Sequence, residues 1–73
     1  MRLANRMVLK EVVACHKAKI TVDAKDLEFE LGYGQDYLED VLEELVFYGY
    51  LVKFNNKYFR ATAKAYSYLG ASE

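Results

Sequence analysis

The chain has no proline, no tryptophan, one cysteine, one histidine and only four glycines in 73 residues. Without proline there is neither a fixed helix kink nor a Pro-rich linker to divide the chain. The single Cys15 rules out an internal disulfide and a multi-cysteine zinc site, which suits a reducing interior, although an exposed thiol is able to join two chains. Long apolar runs are missing too. Arg2, Arg6, Lys10, Lys17 and Lys19 interrupt the first twenty residues, leaving no stretch fit for a membrane span or a secretory segment. The expectation is a cytoplasmic protein without a membrane partner. Low-complexity tracts and internal repeats are also lacking.

What is present is a globular composition, 53% hydrophobic and 29% charged. At this length a single core is barely sufficient, so oligomerisation or a partner is expected. The net charge of −1 hides a division along the chain. Residues 1–20 carry five Lys/Arg against Glu11, residues 21–45 nine Asp/Glu against Lys25, and residues 46–73 four Lys/Arg against Glu73. A basic, acidic, basic order within one small domain implies faces of opposite sign, which guide association more than they stabilise a fold. The Arg-bearing, amphipathic start also has the character of a transit peptide. Removing it would strip a helix from a domain already short of core.

At 100° per residue, Leu3, Met7, Val8, Val12 and Cys15 fall in one broad arc, with Arg2, Arg6, Lys10 and Lys17 opposite. The spacing predicts an amphipathic first helix from Arg2 to about His16 with a basic stripe, whose commoner meaning is a solvated face. The β-branched run Lys19–Val22 predicts a short strand, and Asp23 a helix cap. Ala24, Leu27, Glu28 and Leu31 fit a second helix ended by Gly32, although acid and apolar residues alternate there as in a strand. A third helix is expected from Gln35 to about Tyr48, burying Tyr37, Leu38, Val41, Leu42, Leu45 and Val46, with Gly49 closing it. Leu51–Phe54 and Tyr58–Ala61 read as strands around Asn55-Asn56-Lys57, since Asn tolerates positive φ. Thr62 is the expected cap of a last helix, Ala63–Leu69, that Gly70 ends. The fold class is α+β, mostly helical: a three-helix core with a short strand, a two-stranded β-hairpin and a short C-terminal helix.

This order resembles a winged helix-turn-helix domain, most closely from Ile20 to Leu69. The resemblance is carried by Leu31-Gly32-Tyr33-Gly34, by Leu42 and Leu45, by the helix exit Gly49-Tyr50-Leu51, and by Phe59-Arg60-Ala61-Thr62-Ala63-Lys64-Ala65. The last resembles an aromatic residue followed by a Thr-x-Lys-Gly step, with Ala65 in place of the usual Gly, which implies a less bent start to the last helix. Residues 1–73 would then be one winged-helix domain. The Lys/Glu/Tyr-rich, proline-free style resembles small archaeal or viral transcription regulators.

In that family the third helix enters the major groove while the wing touches backbone or minor groove. The resemblance thus implies reading positions at Gln35, Asp36, Glu39 and Asp40, with Gln35 pairing to adenine and an acid accepting from cytosine N4. Charge opposes this. A duplex carries one negative charge per about 1.7 Å, whereas the helix bears Asp36, Glu39, Asp40, Glu43 and Glu44, and Lys25 is the only cation between Val22 and Val52. Double-stranded DNA is therefore expected on Lys53, Asn55, Asn56, Lys57, Arg60 and Lys64 of the wing and its flank, and on Arg2, Arg6 and Lys10 of the first-helix stripe. Tyr58 or Phe59 would meet a sugar or an unstacked base. So few cations make a monomer a weak binder, and members of the family often dimerise through the first and last helices, so a homodimer is expected. Lys53 and Lys57 are also what an edge strand uses against sheet aggregation. The function expected is a dimeric DNA-binding transcription regulator. The alternative is a protein-interaction module in which Gln35, Asp36, Glu39, Asp40 and Glu43 dock on a basic partner, or on the Arg2/Arg6/Lys10 stripe of another copy.

Of seven Tyr and four Phe most are expected to fill the core of a chain without Trp, with Tyr48, Tyr50, Tyr58, Tyr66 and Tyr68 as candidates for a surface cluster; Tyr66 and Tyr68 lie about 200° apart on a helix, so one of them is expected at the surface. Catalysis finds little support. Cys15 and His16 point about 100° apart, Gly32-Tyr33-Gly34 lacks the Lys and Ser/Thr of a phosphate loop, and carboxylates radiating from a helix do not converge on a metal. No catalytic residue, cofactor or metal ion is expected.

Overall fold

In a computed structural model that describes residues 1–70, the chain forms α1 (Leu3–Lys17), α2 (Ala24–Leu31), α3 (Gln35–Phe47), β1 (Leu51–Phe54), β2 (Tyr58–Ala61) and α4 (Ala63–Leu69). The class is α+β, with four helices around a two-stranded antiparallel hairpin. α1 packs on α3 and β2, α2 packs on α3, and α4 closes against α1. Leu9, Leu27, Leu38, Leu42, Leu45 and Leu51 are the largest side chains sealed inside.

The buried face of α1 differs from the expected one. Leu3 and Met7 are 74% and 43% exposed, and the helix turns Val8, Leu9, Val12 and Val13 inward instead. Leu3 and Met7 lie at least about 120° from both Leu9 and Val12 at 100° per residue. Apolar spacing marked two stripes, and packing on α3 and β2 selected the richer one. Tyr37 is likewise 44% exposed, its ring tilted against Tyr33 at 5.5 Å, so the buried face of α3 is Leu38, Val41, Leu42 and Leu45. On α4, Tyr66 is buried and Tyr68 is exposed, as their angular separation requires.

The strand expected at Lys19–Val22 shrinks to one bridge, Val22 to Phe59, in which the Phe59 N–H donates to the Val22 carbonyl at 3.0 Å. The end of α1 explains it. Lys19 N–H donates to the His16 carbonyl and Ile20 N–H to the Cys15 carbonyl, a Schellman closure that puts Lys19 at φ 60°. α3 ends in the same way, with Gly49 at φ 85° and bonds from Gly49 and Tyr50 N–H to the Val46 and Leu45 carbonyls. Tyr48 is thus the residue after α3 and not its last one. In the hairpin Leu51 pairs with Ala61 and Phe54 with Tyr58, and both Asn55 and Asn56 sit at positive φ.

Asp23 caps α2 through a reciprocal box: Asp26 N–H donates to Asp23 Oδ1 at 2.9 Å, and Asp23 N–H to Asp26 Oδ2 at 3.2 Å. That Asp26 N–H bond holds the Asp23 carboxyl below its ordinary 3.8, and Lys57 adds to the effect. The native carboxylate takes up its proton less readily than the unfolded one, so its stabilisation is complete above the ordinary value and vanishes as pH falls through the lower native one. Asp23→Ala is expected to cost about 0.5–2 kcal/mol at neutral pH. Thermal unfolding of both proteins should converge by about pH 2, below the carboxylate range; an undiminished gap there would remove the cap from the explanation. Thr62 begins α4 by position but caps nothing with its side chain. Its hydroxyl donates instead to the Gly49 and Tyr50 carbonyls, at 2.7 and 3.1 Å, tying α4 to the α3–β1 turn.

Candidate nucleic-acid interface

Strand alternation splits the hairpin. Val52, Phe54, Tyr58 and Arg60 share its outer face, while Leu51, Lys53, Phe59 and Ala61 face the helices. The cations expected to act together are therefore distributed to three places.

On the inner side, Lys53 Nζ lies 4.0 Å from Glu43 and Lys57 Nζ 3.5 Å from Asp23. These are the ion pairs among the described residues, and both draw hairpin lysines toward acids of α3 and of the α2 cap. With Gln35, Glu39 and Asn56 they line a depression of mixed sign. Of the two pairs, Lys53–Glu43 is open to solvent and contributes little stability, while Asp23 is partly buried beside Lys57. Their consequence is to lower the positive potential on that side of the hairpin.

Lys64 is engaged elsewhere. Its Nζ donates to the Tyr48 carbonyl at 2.6 Å and stands 4.5 Å from the centre of the Tyr50 ring. A cation there meets the negative end of the α3 dipole, which has no basic residue in its own last turn. Asn55 and Asn56 supply the backbone conformation of the turn, closed by Lys57 N–H donating to the Phe54 carbonyl at 3.2 Å.

The third place is a groove of about 800 Å³ between the end of α1, the 18–22 segment and the outer hairpin face. Lys17, Lys19 and Arg60 line it, together with His16, Phe54 and Tyr66. Among the described residues no carboxylate lines it and none pairs with these three cations. The Arg60 guanidinium lies over the Phe54 ring, 5.0 Å from its centre, and Lys17 Nζ is 5.8 Å from that of Tyr66. The Tyr66 hydroxyl shares a 2.9 Å hydrogen bond with His16 Nδ1, which fixes the wall of the groove.

Arg2, Arg6 and Lys10 are exposed along α1, in solvent. The acids of α3 are exposed as well. Asp36, Glu39, Asp40, Glu43 and Glu44 fall within an arc of about 140° at 100° per residue, and among the described residues their only other side-chain partner is Gln35, whose Nε2 donates to Glu39 at 3.4 Å.

Cys15 is half-buried, its Sγ 3.6 Å from Glu11 Oε2. Burial first, and then the Glu11 charge, push the thiol above its ordinary value, which keeps it in the unreactive protonated form. Among the described residues no group of His, Cys, Asp and Glu is placed to hold a metal ion, and no helix is long and apolar enough to cross a membrane.

Sequence reasoning placed Lys17 on the α1 stripe and overlooked Lys19 as a site residue. Both stand with Arg60, more than forty positions away, only because α1 ends beside the hairpin. No spacing along the chain marks that meeting. Comparison with family models, with curated proteins and with solved structures finds no match for this chain.

Proposed function

We propose that the chain is a winged-helix DNA-binding protein, a transcription regulator acting as a homodimer. Its phosphate contacts come from the outer face of the wing and from α1, while α3 is kept off the backbone. The element order and the Val22–Phe59 bridge beside the hairpin favour the winged-helix assignment. The observation that carries the function is the separation of charge: Lys17, Lys19 and Arg60 gather in a groove free of carboxylates, with the α3 acids outside it. Double-stranded DNA is the ligand to test first.

A second copy has a face to meet. Tyr48 and Tyr68 are 55% and 43% exposed and share a depression with Met1 at 51%, and Phe47, 81% exposed, meets the Tyr48 ring edge-on at 5.2 Å. Arg2 and Glu44 flank the depression that Tyr48, Tyr68 and Met1 line. A two-fold axis through this face would set one copy's Arg2 against the other's Glu44 and cover the aromatic rings between them.

The test is titration of a labelled duplex, with the mass of the free protein measured by sedimentation. A dimer neutralising about six phosphates should lose roughly 10³ in affinity between 50 and 200 mM salt. It should sediment at twice 8.5 kDa, and Tyr48→Ser with Tyr68→Ser should return it to the monomer. Absence of any DNA binding at 50 mM salt would overturn the assignment. The second function, docking of the acidic α3 face on a basic protein, draws on the five exposed carboxylates in one arc. It would then take precedence.

A further inference from the structure

We infer that the groove between the end of α1 and the outer wing face is a single-strand site. In it the backbone phosphates meet Lys17, Lys19 and Arg60, and a base lies against the surface made by Phe54 and Arg60. The inference rests on the assignment of the chain as a nucleic-acid binder and goes further in naming which form it takes.

Three observations lead there. First, the groove joins cations to flat and apolar surfaces: a guanidinium 5.0 Å above the Phe54 ring, with Ile20 59% exposed beside it. Phosphates need only the charge. Aromatic rings and guanidinium planes add affinity when a base presents its face, which a paired duplex keeps stacked inside.

Second, the site is concave and holds three cations, whereas the whole domain measures 29 × 25 × 20 Å. A short strand of few phosphates matches such a groove. A duplex shows its phosphates on a convex surface and keeps its base faces stacked inside, so it can use the charge of this groove but not its rings.

Third, Lys19 holds the left-handed position of a Schellman closure, at φ 60°. Glycine fits there without steric cost, as Gly49 does at the end of α3. A lysine at this position bears a conformational cost that glycine would avoid, and it puts a cation on the lining of a groove free of carboxylates.

The experiment compares anisotropy titrations of a labelled 12-nucleotide dT strand and a 12-base-pair duplex at 50 mM salt. The strand is expected to bind at least about tenfold more tightly. Lys19→Gly separates site from fold: its melting temperature should equal or exceed that of the parent, while strand affinity falls. Phe54→Leu, which keeps apolar bulk but removes the ring that holds the Arg60 guanidinium flat, should weaken the strand at least about fivefold, the loss of one stacked base, with duplex binding little changed. Duplex binding equal to or tighter than strand binding overturns the single-strand site and leaves the DNA-binding assignment standing. No binding of either overturns both. Lys19→Gly with unaltered strand affinity overturns the placement in this groove.

Discussion

Leu42→Ala is expected to lower the unfolding free energy by about 2–5 kcal/mol, the range for a fully buried leucine truncated in a core. Leu42 is 0% exposed in the middle of α3, the helix that α1, α2 and β1 all contact. Its side chain fills the centre of the domain and has no solvent edge toward which neighbours could relax. A single core of this length supplies about 3–5 kcal/mol of stability, so the variant should be largely unfolded at room temperature. Urea titration followed by helical circular dichroism reads this directly. Leu3→Ala is the control. At 74% exposure, Leu3 has little apolar area to lose, and its variant should unfold within about 0.5 kcal/mol of the parent. A large loss at Leu3 with a small one at Leu42 would mean that α1 presents its other face to the core.

That contrast also marks what could be read from the chain. The four helices and the hairpin were legible because their stops are local chemistry: Asp23 and Asp26 for a capping box, Gly32, Gly49 and Gly70 for left-handed caps, Asn55 and Asn56 for the turn. The end of α1 was hidden because its left-handed residue is Lys19, followed by β-branched Ile20, Thr21 and Val22 that imitate a strand. The orientation of α1 was hidden for another reason. Leu3 with Met7, and Val8 with Val12, obey the same i, i+4 rule, and only the surface of α3 and β2 decides between them. Long-range charge pairing was out of reach entirely. Nothing in the order of residues says that Lys53 and Lys57 lean toward Glu43 and Asp23 while Arg60, on the opposite hairpin face, pairs with no carboxylate among the described residues. The candidate site therefore lies on one side of the hairpin and not on the hairpin as a whole.

Neutralising the front of α3 should raise DNA affinity. In the variant Asp36→Asn, Glu39→Gln, Asp40→Asn, three exposed charges disappear from the first half of the helix with almost no change of shape. Glu43 stays, so the contact with Lys53 survives. Each lost carboxylate relieves a repulsion of a fraction of a kcal/mol per nearby phosphate in water, and the three together should tighten duplex binding about tenfold at 50 mM salt. The Debye length shrinks as salt rises, so the gain should be much smaller at 200 mM. Anisotropy titration of parent and variant at both salts measures it. The sign distinguishes the two faces: a helix that reads bases through its acids would lose affinity on this change, while a helix that only repels phosphates gains it. An unchanged affinity would put α3 more than a Debye length from the duplex, and the acids would then be free to serve a basic protein. For such a partner the same triple variant should abolish capture. One triple substitution thus measures whether the acids along the first half of α3 repel nucleic acid or select for something else.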